Sequence, residues 1–285
     1  MDEGFTKEGK QAQVGIDQVK IGTSGYNYPH WGKGVFYPEG LSSSKWLQYY
    51  AEHFDSLELN VTFYRIPEEK TFDGWYRRTP EGFAFSLKGP RLITHLKKLQ
   101  DVGETVELFF THAFRLREKL VCVLWQFPPH FEVSLKLLEG FVSILPKEVH
   151  HAFEFRDRSW FCREVFEILR AHNMSICLAD RPFKVTLTKS GNDAIRGSDS
   201  TATQGNDSII IPSPTADFVY LRRHGLGSRY SSCYTDEELA ADAMNIRQWA
   251  TSGLQVYVYF NNDARGYAVR NAETLRSMVS QFPTV

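Results

Sequence analysis

"HHAFEFRDRSW", His150 to Trp160, sets a charged pair against a pair of rings. Successive side chains of a β-strand point to opposite faces, so Glu154 and Arg156 share one face while Phe153 and Phe155 share the other. A charge on a buried strand is held only with a partner, so the pairing calls for a polar interior on one side. A closed parallel barrel provides it. Its strands send alternate residues inward and outward against helices, and chemistry sits at the C-terminal strand ends. On this reading the phenylalanines pack on helices and the charged pair points into the barrel mouth. Glu154 should then lie within hydrogen-bond reach of Arg156, Lys88 or another basic strand end.

Seven further runs extend the pattern on either side: residues 20–24, 57–60, 83–88, 120–127, 175–180, 218–224 and 254–260. Helical spacing separates them, in "SKWLQYYAEHF", in 68–78, 104–119, 134–145 and 163–172, in a helix opened by the capping box Thr235-x-x-Glu238, and in 271–281. Eight strands alternating with helices over residues 19–285 predict a single-domain α/β fold, a TIM (β/α)8 barrel of eight parallel strands. A doubly wound open sheet is the alternative, but no Gly-x-Gly-x-x-Gly follows the first strand. Residues 1–18 read as a flexible tail. A Ser/Gly/Asn/Asp-rich insert at about 188–208 reads as a mobile loop, flanked by "FKVTL" and "SIIIP", which are expected to pair as a hairpin.

Composition narrows the partners. The 285 residues carry 33 Lys+Arg and 34 Asp+Glu, a formal net charge of -1, so nucleic acid is not indicated globally and would need a local basic patch. The 4 cysteines show no paired metal-ligand spacing, and Cys122 and Cys177 sit in apolar runs as reduced core thiols would. No apolar run reaches membrane-span length and the N-terminus lacks the form of a signal peptide, which gives a cytoplasmic expectation with no membrane partner.

The strand ends hold the candidate site. Strand two ends Glu58-Leu59-Asn60, strand three Ser86-Leu87-Lys88, strand four in Gln126, strand five in Glu154 and Arg156, and strand six in Asp180. Strand seven ends in Arg222, Arg223 and His224, strand eight in Asn261 and Asn262. Ser24, Tyr26 and Tyr64 lie beyond strands one and two, and His95 follows strand three. Any one of these groups could serve only to neutralise a buried neighbour; polar ends on every strand argue for a ligand site.

Ordered motifs also carry a resemblance. "IGTSGYNYPHW", "FYP", "LELNVTFYRIP", "SLKGPRLITH", "WQFPPHF", "FEFRDRSW", "YLRRHG" and "YFNND" occur in the order found in the YecE-like family, the TIM-barrel domain of unknown function seventy-two, across about residues 21–275. That resemblance implies the barrel independently and implies no reaction. Tyr26 stands where the family often has Trp, Val61 where Ser is commoner, and the second Arg of "LRRHG" is unusual. Likeness to the endonuclease IV and xylose isomerase barrels is analogy of fold alone.

For chemistry, Glu58, Glu154 and His224 are the candidate acid–base groups. Ser24, Tyr26, Asn60, Tyr64, Lys88, His95, Gln126, Arg156, Asp180, Arg222, Asn261 and Asn262 are the candidate substrate contacts. Lys88 and the arginines suit a small anionic ligand, phosphorylated or sugar-like. No cofactor is expected. A divalent metal held among Glu58, His95, Glu154, Asp180, His224 and Asp263 is the weaker reading, because cations share the rim and no ligand spacing supports it. The alternatives are a metal-dependent phosphodiester or nucleic-acid processing enzyme resembling endonuclease IV, and a non-catalytic binding barrel.

Overall fold

Eight parallel strands close on themselves in the computed structural model, which describes residues 18–187, 203–204, 208–225 and 232–281. In chain order the strands are β1 (Val19–Ser24), β2 (Ser56–Leu59), β3 (Ala84–Lys88), β4 (Leu120–Gln126), β5 (His150–Glu154) and β6 (Ser175–Ala179). They continue with β7 (Lys184–Leu187), β8 (Thr203–Gln204), β9 (Ser208–Ile211), β10 (Phe218–Arg223) and β11 (Gln255–Phe260). The barrel order is β1-β11-β10-β6-β5-β4-β3-β2, with β7, β8 and β9 forming a separate small sheet. The helices are α1 (Trp46–His53), α2 (Val61–Tyr64), α3 (Glu69–Arg77), α4 (Gly103–Ala113), α5 (Leu135–Ser143), α6 (Arg163–Ala171), α7 (Asp236–Thr251) and α8 (Tyr267–Ser280). The expected capping box is present: Thr235 Oγ1 accepts from Glu238 N at 3.3 Å, and Glu238 Oε2 from Thr235 N at 2.8 Å.

Period-2 alternation divides the apolar residues into two cores. Outward-facing Val123, Trp125, Phe153, Phe155, Leu221 and Val258 pack on the helices. Phe155 stacks on Trp160 with centroids 5.0 Å apart, and Phe153 meets Phe141 of α5 edge-on at 6.3 Å, as the alternation predicts. Inward-facing Cys122, Leu124, Ala152, Cys177, Ala179, Phe218, Tyr220, Tyr257 and Tyr259 fill the barrel. Burial holds the Cys122 and Cys177 thiols well above their ordinary pKa, so both are inert core groups.

The three tyrosines are buried in the interior, and their hydroxyls need partners. Tyr259 is served by Ser56 Oγ at 2.6 Å and Ser86 Oγ at 2.9 Å, while Tyr220 donates to Glu58 Oε2 at 2.7 Å. Small residues on β2 and β3 thus make room for the rings and satisfy their polar ends.

One junction is unusual. Strands β1 and β2 pair only through Thr23–Leu57 and Ser24–Glu58. The Tyr50 hydroxyl, from α1, sits between them, accepting from Thr23 N at 2.9 Å and donating to Ser56 O at 3.0 Å. A side chain thereby replaces a rung of the backbone ladder. Gly22 lies at the same spot, where a Cβ would come within 2.0 Å of Ser56 O.

The segments flanking the insert differ from expectation. "FKVTL" and "SIIIP" do pair, but in parallel, Lys184–Leu187 against Ser208–Ile211. Strand β8 forms the antiparallel neighbour of β9 instead, which leaves β7 the opposite edge. The expectations of a mobile insert over 188–202 and 205–207, and of a flexible tail over 1–17, fall outside the described residues.

Candidate active site at the barrel mouth

The inward-facing strand ends meet on one side chain. Arg222, on β10, is 1% exposed, and its guanidinium bridges two buried carboxylates from across the barrel. Nη1 donates to Glu154 Oε2 at 2.6 Å and Nη2 to Glu58 Oε1 at 2.8 Å. Both carboxylates take further donors. Ser24 Oγ also donates to Glu58 Oε1, at 2.6 Å, while Oε2 accepts from Tyr220, and Gln126 Nε2 donates to Glu154 Oε1 at 2.6 Å. Arg156 Nε reaches Glu154 Oε1 at 3.1 Å.

This lattice answers how Glu154 and Arg156 are accommodated, and Glu154 does lie within hydrogen-bond reach of two basic groups. Arg156 does contact Glu154, but its side chain is 23% exposed; the fully buried counterion is Arg222. Burial alone would raise the Glu154 pKa, yet Arg222, Arg156, His224 and Lys88 outweigh it and hold the carboxyl well below the usual range. Glu154 is therefore ionised at all physiological pH values and is a feeble base.

Above this floor opens a cleft of about 1050 Å³. Of the residues expected from sequence, Tyr26, Asn60, Tyr64, Lys88, His95, Gln126, Arg156, Arg222 and Asn261 line it. Glu58, Glu154 and Ser24 do not, since they lie beneath Arg222 with at most 1% exposure. His224 is also fully buried, its ring beside Glu154 and its Nδ1 3.0 Å from Asn261 Nδ2. Burial and then Arg222 push its pKa down to about 3, so it is neutral at pH 7.

Two expected contacts point elsewhere. Cys177 and Ala179 of β6 face inward, so alternation turns Asp180 outward, where it accepts from His224 N at 2.9 Å and from the Tyr234 hydroxyl. Asn262 lies beyond β11 and donates to Asn271 Oδ1 of α8 at 2.8 Å, tying the strand end to its helix. Both are structural. Arg223 likewise faces out and forms a bidentate pair with Asp242 of α7, both contacts at 2.6 Å.

Two further groups line the cleft: Arg91, in the turn after β3 and outside the expected set, and Asp263, just past β11, which the sequence offers in the weaker metal reading. Arg91 stands in the "SLKGPRLITH" motif, three residues after Lys88, so following the chain past the strand end would have found it. Asp263 Oδ2 is 3.3 Å from His30 Nε2. Burial raises the Asp263 pKa to about 6, with His30 opposing the shift. Aromatic walls come from Phe63, Tyr64, Tyr28 and Trp75. The Lys88 ammonium lies over the Phe63 face at 4.1 Å from its centroid, and His95 meets the same ring edge-on at 4.9 Å.

A carboxyl with a raised folded-state pKa binds its proton more tightly folded than unfolded, so its contribution to stability falls as pH rises. For Asp263 the window runs from the unfolded value near 3.9 to the folded value of about 6. Asp263→Asn should flatten the melting temperature across that window and raise it at pH 7–8 relative to wild type. Melts in a pH series measure this directly; an unchanged slope would mean that Asp263 is well solvated.

Among the described residues, no group of three or more His, Cys, Asp or Glu side chains is arranged to hold a metal ion. Of the residues in the weaker metal reading, Glu58 and Glu154 are engaged by Arg222, and Asp180 faces away from the cleft. No described helix is long and apolar enough to cross a membrane.

A closed eight-stranded α/β barrel with an open cleft at the C-terminal ends of its strands defines the class. Within it, the chain belongs to the family described as "Protein of unknown function DUF72", whose profile matches residues 20–284. The chain is 25% identical over 290 residues to UPF0759 protein YunF of Bacillus subtilis, spanning 92% of this chain and 94% of that one. With UPF0759 protein YecE of Escherichia coli K12 it shares 28% identity over 146 residues, 51% of each chain. A solved DUF72 family protein from Thermotoga maritima superposes with a TM-score of 0.74 at 31% identity, over 92% of this chain and 99% of that one. Another, from Enterococcus faecalis, shares the fold at 19% identity and a TM-score of 0.72, over 93% and 96% of the two chains.

Proposed function

We propose that the cleft binds a small anionic molecule, phosphorylated or sugar-like, and that the protein is an enzyme acting on it by acid–base chemistry. The observation that carries this reading is the charge around the mouth. Among the described residues four cations line it (Lys88, Arg91, Arg156 and Arg222) against one lining carboxylate, Asp263. Adding Glu58 and Glu154 beneath still leaves 4 − 3 = +1, rising to +2 when Asp263 takes a proton. His95 feels the resulting field. Burial, followed by Lys88, Arg156 and Arg91, pushes its pKa down to about 4. A concave site of one sign concentrates ligands of the other.

In this reading Arg156 and Arg91 hold the anion, Arg156 through the part of its guanidinium not bonded to Glu154. Glu58 and Glu154 serve as fixed counter-charges that orient Arg222. Proton transfer falls to the groups with accessible side chains and suitable affinity, Asp263 backed by His30, and neutral His95. The aromatic wall of Phe63 and Tyr64 offers a face for a sugar or other planar group.

Calorimetry with inorganic phosphate and a panel of small phosphorylated and carboxylated compounds tests the proposal. Arg156→Gln should weaken the best ligand by about 10-fold or more, a loss of ~1.4 kcal/mol, while shifting the melting temperature little, since Arg222 still holds Glu154. Equal affinity in the variant would remove the anion site from the cleft.

A further inference from the structure

We propose that Lys88 is a carbonyl-reactive amine, and that the ligand class of the cleft is a small 2-oxo acid, which Lys88 captures as an imine. The inference rests on the anionic reading of the cleft and adds a covalent partner to it. Lys88 ends β3, and its backbone is held where Thr62 Oγ1 donates to Lys88 O at 2.7 Å. Its ammonium reaches the cleft wall over the apolar face of Phe63. A lysine this enclosed normally neutralises a carboxylate. Among the described residues none lies within ion-pair distance of it, because Arg222 and Arg156 have engaged Glu58 and Glu154.

An amine so placed is easily deprotonated. Burial first, then the positive charge of Arg222, lowers the Lys88 pKa to about 8, against the opposing negative charges of Glu154 and Glu58. A desolvated lysine beside another cation is a recognised route to an amine nucleophile near neutral pH. The surroundings suit the rest of the molecule. Arg91 and Arg156 present guanidinium groups for a carboxylate. Neutral His95, whose Nδ1 lies 2.8 Å from Thr94 Oγ1, leaves its other ring nitrogen for proton transfer in the same cleft.

The step balances without an oxidant or reductant. The Nζ lone pair forms a C–N bond to the carbonyl carbon while the C=O π pair moves to oxygen, which takes a proton. The carbinolamine then loses its C–O bond, with oxygen leaving as water after a second proton transfer. Neutral amine, carbonyl and one proton give an iminium and water.

Glyoxylate with sodium cyanoborohydride traps the imine as a carboxymethyl-lysine, read by intact mass and peptide mapping. Lys88 should be labelled at least 10-fold faster than exposed lysines such as Lys70, with a rate rising through pH about 8, and inorganic phosphate should protect it. Lys88→Met, checked for folding by circular dichroism, should lose that fast label. Labelling of Lys88 no faster than of Lys70 overturns the imine. If glyoxylate still binds by calorimetry and Arg156→Gln weakens it, the anion site stands and only the covalent step falls. If glyoxylate and phosphate both fail to bind, the underlying reading falls too.

Discussion

Arg222→Met is expected to be the most damaging single change at the site, leaving Glu58 buried without its counter-charge and Glu154 with only the partly exposed Arg156. Removing one partner of a buried ion pair costs roughly 3–5 kcal/mol, and here one guanidinium serves Glu58 and Glu154 together. Against a total stability of about 5–15 kcal/mol for a typical domain, the variant should melt about 10 °C or more below wild type, or fail to accumulate as soluble protein. The pH dependence should also reverse. In wild type Glu154 is held below its ordinary pKa, so its stabilisation is present above the unfolded value near 4.3 and lost as pH falls through the folded value. Without Arg222, burial dominates and raises that pKa, so the variant should melt higher at pH 5 than at pH 8. Adding Glu58→Gln and Glu154→Gln to Arg222→Met should recover much of the loss. A triple variant no more stable than the single one would show that shape at the site, not charge, sets its stability.

Gly22→Ala should have a comparable effect through a different cause. The new methyl would meet a backbone oxygen, Ser56 O, at 2.0 Å, and the Tyr50 hydroxyl at 3.0 Å. Neither is the free end of a flexible chain: Tyr50 is held by Thr23 and Ser56. Strands β1 and β2 must separate, at a cost at or above the upper end of the roughly 1–3 kcal/mol of ordinary overpacking. The damage should reach the floor of the cleft, because Ser24 on β1 bonds Glu58 on β2 across the same junction. Thermal melts, with hydrogen exchange at the Thr23 and Gly25 amides, measure both effects; wild-type stability would show that the junction yields freely.

The barrel was readable because its determinants are local. Alternation in each strand, helical spacing between strands and the Thr235–Glu238 cap are all written within a dozen residues of one another. The candidate site was readable only as far as parity reaches. Parity places Glu58, Glu154 and Arg222 inside, but it says nothing of depth. Whether Glu154 meets a ligand or a guanidinium 68 residues away depends on how eight strands stagger on closing. Asp180 and Asn262 lie one and two residues past β6 and β11, and they bond outward because the register of the closed sheet turns them from the mouth. Asp263 and Arg91 lie past the strand ends, where turns carry no periodic signal. The parallel pairing of β7 with β9 was hidden because a third strand, β8, intervenes from within the insert.

The three tyrosines that fill the barrel have a kinetic corollary. Tyr220, Tyr257 and Tyr259 are packed inside the barrel, so among the described residues the cleft has a closed base, and the exposed ring of Tyr64 stands on its wall. On the proposed reading of the cleft, a ligand enters and leaves by the same face of the barrel, so slow release would limit any turnover.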